Sequence, residues 1–477
     1  MKRSLLLLII LTSLIAPAGS YARVPQSRPA RTKRPAAAAT APARLPDAEL
    51  TNKVLPNGLE VIVVQDHSVP LVTIELGVKN GSYTEPPELN GLSHLYEHMF
   101  FKANRAIADA EDYVRTIGQL GIAYNGSTRE EVVNYYFTTT SPNLRTAMQF
   151  MRDATRYPLF DDREFERERE VVIGEIDRNE SNPFYYLNRE IFSRLFYKYP
   201  SRKAPLGNRQ TVSTATTEQM RLIQGRYYVP NNSALVVTGD VKPEEIFQMA
   251  QELFGDWARR EKDPFVEFPL VEHPPLTKSE GAVIKQPVEN VIIAIGWHGP
   301  SIGKDNAATY AADVFSFILR QPSSRFQRNL VDAGLVQAVD LSYYTQRNVG
   351  PILVTAVTTP DKARAAVAAI HNELAHFNDK DYFTDEQLES AKALLEADDL
   401  YSREKLSEYA HTLTFWWAST GIDYFRGYLP TLRRTSRADI SRYVTTYIQG
   451  KPHVSLALIS DRAQQQAQLT ADELIGK

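Results

Sequence analysis

Apolar and polar residues alternate along this chain in patterns that predict strands and helices in turn. In "KVLPNGLEVIVVQD" the run from Leu59 to Val64 is rich in β-forming residues and Asn57-Gly58 supplies a turn, so the stretch predicts strand–turn–strand. "LVTIELGV" and "VVNYYFTTT" predict two further strands. Between them lie the loop "KNGSYTEPPELNG", a helix over "GLSHLYEHMF", and a second helix from about Asp109, a suitable cap, to Leu120. "FDDREFEREREVVIGEIDRNE" predicts a long charged helix. Asp161 with Glu164 gives its capping pattern, Val171, Val172 and Ile176 its buried stripe, and Pro183 limits its length.

Residues 261–280 hold four prolines and no helical period, which marks a linker between residues 48–260 and residues 281–477. The two halves look like copies. One ends in "TTEQMRLIQGRYYVPNNSALVVTGD" and the other in "TSRADISRYVTTYIQGKPHVSLALISD". Each reads as a capped helix, a turn and a strand, with capping patterns at Thr216–Gln219 and Ser436–Asp439. The expectation is a duplicated α+β unit, each copy a largely antiparallel sheet packed by helices. Nothing in the second half repeats "HLYEH", so only the first copy is a candidate for catalysis.

With 43% apolar and 23% charged residues, the chain has a globular make-up, and its length allows large cores without staples. It has no cysteine, so any transition metal must be held by His, Asp or Glu. Residues 1–22 read as an export signal: Lys2 and Arg3, an apolar run from Leu5 to Ile15, and Ser20-Tyr21-Ala22 as a cleavage site. That run is too short to span a bilayer and no later one is long enough. A periplasmic or secreted protein without stable membrane insertion is expected.

Residues 23–47 form a Pro/Ala-rich arm carrying Arg23, Arg28, Arg31, Lys33, Arg34 and Arg44. The arm is too poor in apolar surface to fold by itself. Beyond residue 46, 46 basic residues face 57 acidic ones, a net charge near −11 that argues against a nucleic-acid partner.

The chemistry lies in His94-Leu-Tyr-Glu97-His98. Residues four apart on a helix differ by roughly 40° around its axis, so both imidazoles can reach one ion. Glu97 falls on the adjoining face, within reach of a water at that ion. Two imidazoles and a carboxylate suit zinc and leave a fourth position for water, whose pKa falls to about 7. Glu97 then serves as general base and passes the proton to a leaving amine. The alternative is two ordinary histidines on a half-buried helix, so a third ligand is needed.

Glu164, Glu166, Glu168, Glu170, Glu175 and Glu180 on the charged helix are candidates. Glu175 is flanked by Val171, Val172 and Ile176, and Glu168 lies two turns earlier on the same stripe. One would be the ligand and the other a supporting carboxylate, and chemistry alone does not choose between them. His371 and His376 are five apart, roughly 140° around a helix, and cannot easily share an ion. His67, His273, His298, His411 and His453 are scattered singles with surface or packing roles by default.

These residues resemble the zinc peptidases of the pitrilysin, insulinase and mitochondrial processing peptidase group, in their bacterial two-domain type. "LPNGLEVIVVQD", "GSYTEPPELNGLSHLYEHMFFKA", "NGSTREEVVNYYF", "EREVVIGEI" and "YYVPNNSALVVTGDV" look like the family's blocks in order, over about residues 50–460. The resemblance implies Glu175, 77 residues beyond His98, as third zinc ligand, with Glu168 as supporting acid. It also implies that Asn125 helps hold the substrate backbone, although the family's usual next residue, alanine, is Gly126 here. The fold it implies is a clam-shell that encloses peptide substrates.

Family members that complete the site within their own second half often carry a block like L-R-E-x-x-G-L-A-Y, whose arginine and tyrosine bind substrate across the cavity. Aligning on Gly334-Leu335 puts Leu330 and Gln337 at those places, and Arg325, Arg328, Tyr343 or Tyr344 would substitute only after a shift. The expectation is the metal-bearing subunit of a pair, completed by a second family subunit or a second copy. A scaffold or peptide-binding subunit that keeps the fold without catalysis is the rival.

Overall fold

The computed structural model describes residues 50–477. The expected export signal and basic arm lie outside the described residues.

Two sheets form the frame. The first holds β1 (Leu50–Val54), β2 (Glu60–Gln65), β3 (Leu71–Val78), β4 (Ala123–Thr128), β5 (Val133–Thr140) and β6 (Ser233–Gly239), in the order β1-β2-β6-β3-β5-β4. The second holds β7 (Glu280–Lys285), β8 (Val291–His298), β9 (Ala338–Tyr343), β10 (Pro351–Thr358) and β11 (Val454–Ile459), in the order β7-β11-β8-β10-β9. Apart from β1, the second order repeats the first strand for strand. Most neighbours are antiparallel, but β2–β6 and β7–β11 are parallel, so each sheet is mixed. A parallel partner needs a long crossover, and in each half the returning strand closes the sheet only after a series of helices.

The central strands β2, β3, β6, β8, β10 and β11 are largely buried along their length because both faces of each sheet are covered there. On β2, Val61 and Val63 face the helices of the first half, while Ile62 and Val64 face the other way. On β8, Val291, Ile293, Ile295 and Trp297 alternate in the same fashion with Ile292 and Ala294.

What covers the outer faces is exchanged between the halves. Five helices matter below: α1 (Leu92–Phe100), α2 (Asp162–Glu180), α3 (Pro183–Leu195), α4 (Asp385–Ser402) and α5 (Leu406–Ser419). α3 follows the charged helix of the first half, yet Leu187, Ile191 and Leu195 pack on Ile292, Ala294, Leu456 and Leu458 of the second sheet. α5 follows α4 in the second half, yet Tyr409, Ala410, Leu413 and Trp417 pack on Ile62, Val64, Ala234 and Val236 of the first. A central strand of each sheet carries a glycine at the crossing. A Cβ on Gly77 would stand 2.4 Å from Thr414 Cγ2, and one on Gly296 2.8 Å from Leu195 Cδ1.

Polar ties reinforce the exchange. Glu75 of β3, fully buried, accepts from Asn134 Nδ2 at 2.8 Å and pairs with His411 Nδ1 of α5. Lys203 Nζ donates to the carbonyls of Asn348 at 2.6 Å and Val349 at 2.9 Å. Between the sheets, residues 261–280 contain one short helix, Pro264–Glu267, and Phe265 lies against the ring of Tyr83 at 5.6 Å.

The local predictions meet one exception. Asp109 and Asp161 cap their helices through side-chain oxygens, and capping boxes stand at Thr216–Gln219 and Ser436–Asp439. On α2, Val172 and Ile176 are buried, but Val171 is 46% exposed. It lies about 100° around the helix from Val172, which takes it off the narrow stripe that α2 buries.

Candidate metal centre

Gly91 precedes α1 at the cap position; its φ of +92° suits glycine, and its missing side chain leaves the helix without a cap of its own. Glu85 supplies it from the preceding turn. The Gly91 N–H donates to its Oε2 at 2.7 Å and the Ser93 N–H to its Oε1 at 2.6 Å. The carboxyl is buried, and burial raises its pKa against the pull of those N–H groups. With its start fixed, α1 sinks Leu92, Leu95, Tyr96, Met99 and Phe100 into the core and turns His94 and His98 to one side. Their ring centroids are 5.0 Å apart at 82°.

α2 packs across this face and brings Glu175 to both rings. Its Oε2 is 3.5 Å from His94 Nε2 and 3.8 Å from His98 Nε2. Among the described residues, these three side chains form the group of His and acidic ligands whose donor atoms all lie within 4.8 Å of one another. Ligands about 2.1 Å from a tetrahedral zinc are separated by about 3.4 Å, so the donor set fits that ion in kind and spacing. Glu168 reaches the other side of His98, with Oε2 3.1 Å from Nδ1, and Lys102 Nζ holds its Oε1 at 2.6 Å.

The protonation states follow the surroundings. Burial, with the neighbouring His98, lowers His94 to about 3, so its ring is neutral and able to bind a metal. Burial would lower His98 too, but the Glu168 hydrogen bond and nearby carboxylates outweigh it and raise its pKa. Burial would raise Glu168, yet His98 and Lys102 hold it below the usual carboxylate range.

Glu97 reaches β4 while staying within electrostatic range of His98 and Glu175. The Thr128 hydroxyl donates to Glu97 Oε2 at 2.7 Å. Burial lifts its carboxyl to about 7 against that bond. Asn125 lies exposed on β4, its Oδ1 accepting from the Gly126 N–H at 2.9 Å. β4 is the edge of the first sheet, so one side of its backbone is open beside Glu97.

Other histidines stand apart from this group. His371 Nε2 bonds the Leu474 carbonyl at 2.8 Å and His376 Nδ1 the Asn372 carbonyl at 2.7 Å. Leu330 is fully buried in the core of the second half, and Gln337 Oε1 accepts from Asn290 at 3.4 Å. Arg325 faces Asp379 at 3.5 Å, Arg328 is exposed, and the Tyr343 hydroxyl donates to the Pro300 carbonyl at 2.9 Å. Tyr344 lies against the first half, beside Arg129.

Residues 60–207 match the family described as Insulinase (Peptidase family M16), and residues 214–395 match the Peptidase M16 inactive domain. The chain belongs to this insulinase/pitrilysin family, in its two-domain type. An uncharacterized zinc protease of Rickettsia felis is 26% identical over 74% of this chain and 84% of its own length. The zinc protease PqqE of Helicobacter pylori is 23% identical over 83% of this chain and 89% of its own. Among solved structures, a protease from Helicobacter pylori superposes with a TM-score of 0.78 at 22% identity, covering 86% of this chain and 99% of that one. The periplasmic protease PqqL from Escherichia coli gives 0.70 at 16% identity, over 90% of this chain and 49% of that one. Both likenesses concern the fold.

Glu85, Lys102 and Thr128 escaped the sequence reading. Glu85 left one signal: a helix that starts at glycine needs a cap from elsewhere. Lys102 and Thr128 left none, because each meets its partner through the packing of separate elements.

Proposed function

We propose that this chain is an exported zinc metallopeptidase that hydrolyses unfolded peptides or small proteins. The observation that carries the reading is the convergence of His94, His98 and Glu175 beside the buried carboxylate of Glu97. In this account His94, His98 and Glu175 hold the zinc, and Glu168 orients His98. When bound, the ion polarises the scissile carbonyl and makes water more acidic.

The chain's own residues do the rest. A peptide lies in extended form along the open edge of β4, where backbone bonds and Asn125 fix its register. Glu97 takes a proton from the attacking water and delivers it to the departing amine nitrogen as the C–N bond breaks. One carboxylate and one amine result.

Family membership supports peptidase activity. No described helix is long and apolar enough to cross a membrane. A buried Leu330 and the Gln337 position favour completion of the site by another subunit, either a second family member or a second copy. They also keep a non-catalytic, peptide-holding role as the second reading.

Turnover of an unstructured fluorogenic peptide by residues 23–477, with and without chelator, tests the proposal. Chelator-sensitive cleavage is expected, alone or once a partner is added, and Glu97→Gln should abolish it at unchanged zinc content. Near-normal cleavage by that variant would remove Glu97 from the mechanism.

A further inference from the structure

We infer that Thr128 is a positioning residue that divides the labour of the two Glu97 oxygens. The inference rests on Glu97 being the general base. A Thr hydroxyl has one proton to give. At Thr128 it goes to Glu97 Oε2 at 2.7 Å, while the Ser93 carbonyl, at 3.5 Å, is a poorer acceptor. The bond is short and charge-assisted when the carboxylate is ionised, which makes it strong and directional.

Thr128 is itself well held. It is the last residue of β4, paired with Val133 of β5, so its backbone is fixed by the sheet. Glu97 comes from α1, whose start is fixed by Glu85. The Thr128–Glu97 bond therefore joins the peptide-docking strand to the ligand-bearing helix.

The second observation is steric. A Cβ at position 126 would stand 2.8 Å from both Cγ and Oε1 of Glu97. Glycine there leaves room for the carboxylate to lie against β4 with Oε2 at Thr128. Oε1 is left over the face of β4 at Gly126, with no hydrogen bond from Thr128. Oε2 is the anchored atom, and Oε1 is the one that receives the proton. Without the anchor the buried side chain would turn about its terminal bond and spend less time with Oε1 in place.

The test compares Thr128→Val, which keeps shape and removes the donor, with Thr128→Ser, which restores it. Glu97→Gln is run in parallel, using the chain together with whatever subunit its activity requires. Thr128→Val is expected to bind one zinc and to lower kcat by about 10- to 100-fold with KM little changed, the size of effect that small misplacements of a catalytic group produce. Thr128→Ser should return kcat to within a few-fold of wild type.

Crystal structures of the zinc-loaded wild type and Thr128→Val provide a readout that needs no turnover. The bond from Thr128 should be present in the first, and the Glu97 carboxylate rotated in the second. Wild-type kcat in Thr128→Val, or an unmoved carboxylate, would overturn the role of Thr128 while leaving Glu97 as base. Activity in Glu97→Gln would instead remove the reading beneath it.

Discussion

Glu168 Oε2 stands 3.1 Å from Nδ1 of His98, and its second oxygen is held by Lys102. A carboxylate on Nδ1 makes that nitrogen the donor, leaving Nε2 with a free lone pair facing Glu175. Glu168→Ala should weaken zinc binding by about 10- to 100-fold, the usual cost of losing such a partner. Competition with a chromogenic chelator reads this directly. Wild-type affinity in the variant would mean that the helix alone orients His98.

The exchanged helices make a different prediction. Gly77→Ala places a Cβ 2.4 Å from Thr414 Cγ2 and should destabilise the protein by about 1–3 kcal/mol through overpacking. Thr414→Ser removes that methyl group, so the double variant should recover most of the loss. Chemical denaturation of all four proteins measures the coupling. Additive effects would show that α5 does not press on β3 at this point.

His273 gives the protein an acid sensitivity unrelated to the metal. It is buried, neither ring nitrogen has a hydrogen-bond partner among the described residues, and burial with the nearby Lys203 charge lowers it to about 3. Its ordinary value, 6.5, applies to the unfolded chain. Between these values the unfolded chain binds a proton that the folded chain refuses, so stability falls as pH drops from about 6.5 toward 3. His273→Phe should flatten that fall by about 1.4 kcal/mol per pH unit in the window. Urea denaturation from pH 7 to pH 5 checks it, and equal slopes in both proteins would contradict the assignment.

How much of this was legible beforehand depended on how local each signal is. The strand runs, the caps at Asp109 and Asp161, and the two capping boxes are set by residues within a few positions of each other. The His94–His98 pairing is equally local, being one helical turn. Choosing Glu175 over Glu168 was not, because both lie on one stripe of α2. The packing against α1 decides which carboxylate meets Nε2 and which meets Nδ1.

The exchange of α3 and α5 was likewise hidden. An amphipathic helix reveals that it has an apolar face but not which sheet will cover it. Unbroken apolar strands such as β8 were a partial clue, since they require cover on both sides. Val171 shows the opposite limit: an apolar residue next to a buried one need not share its face.

The measurement that bears most directly on the central claim is elemental analysis of zinc in purified residues 23–477, wild type beside His94→Ala, after exhaustive dialysis. The geometry of His94, His98 and Glu175 predicts one zinc per wild-type chain and almost none in the variant. Equal zinc in the two proteins, or none in the wild type after zinc is supplied, would contradict it.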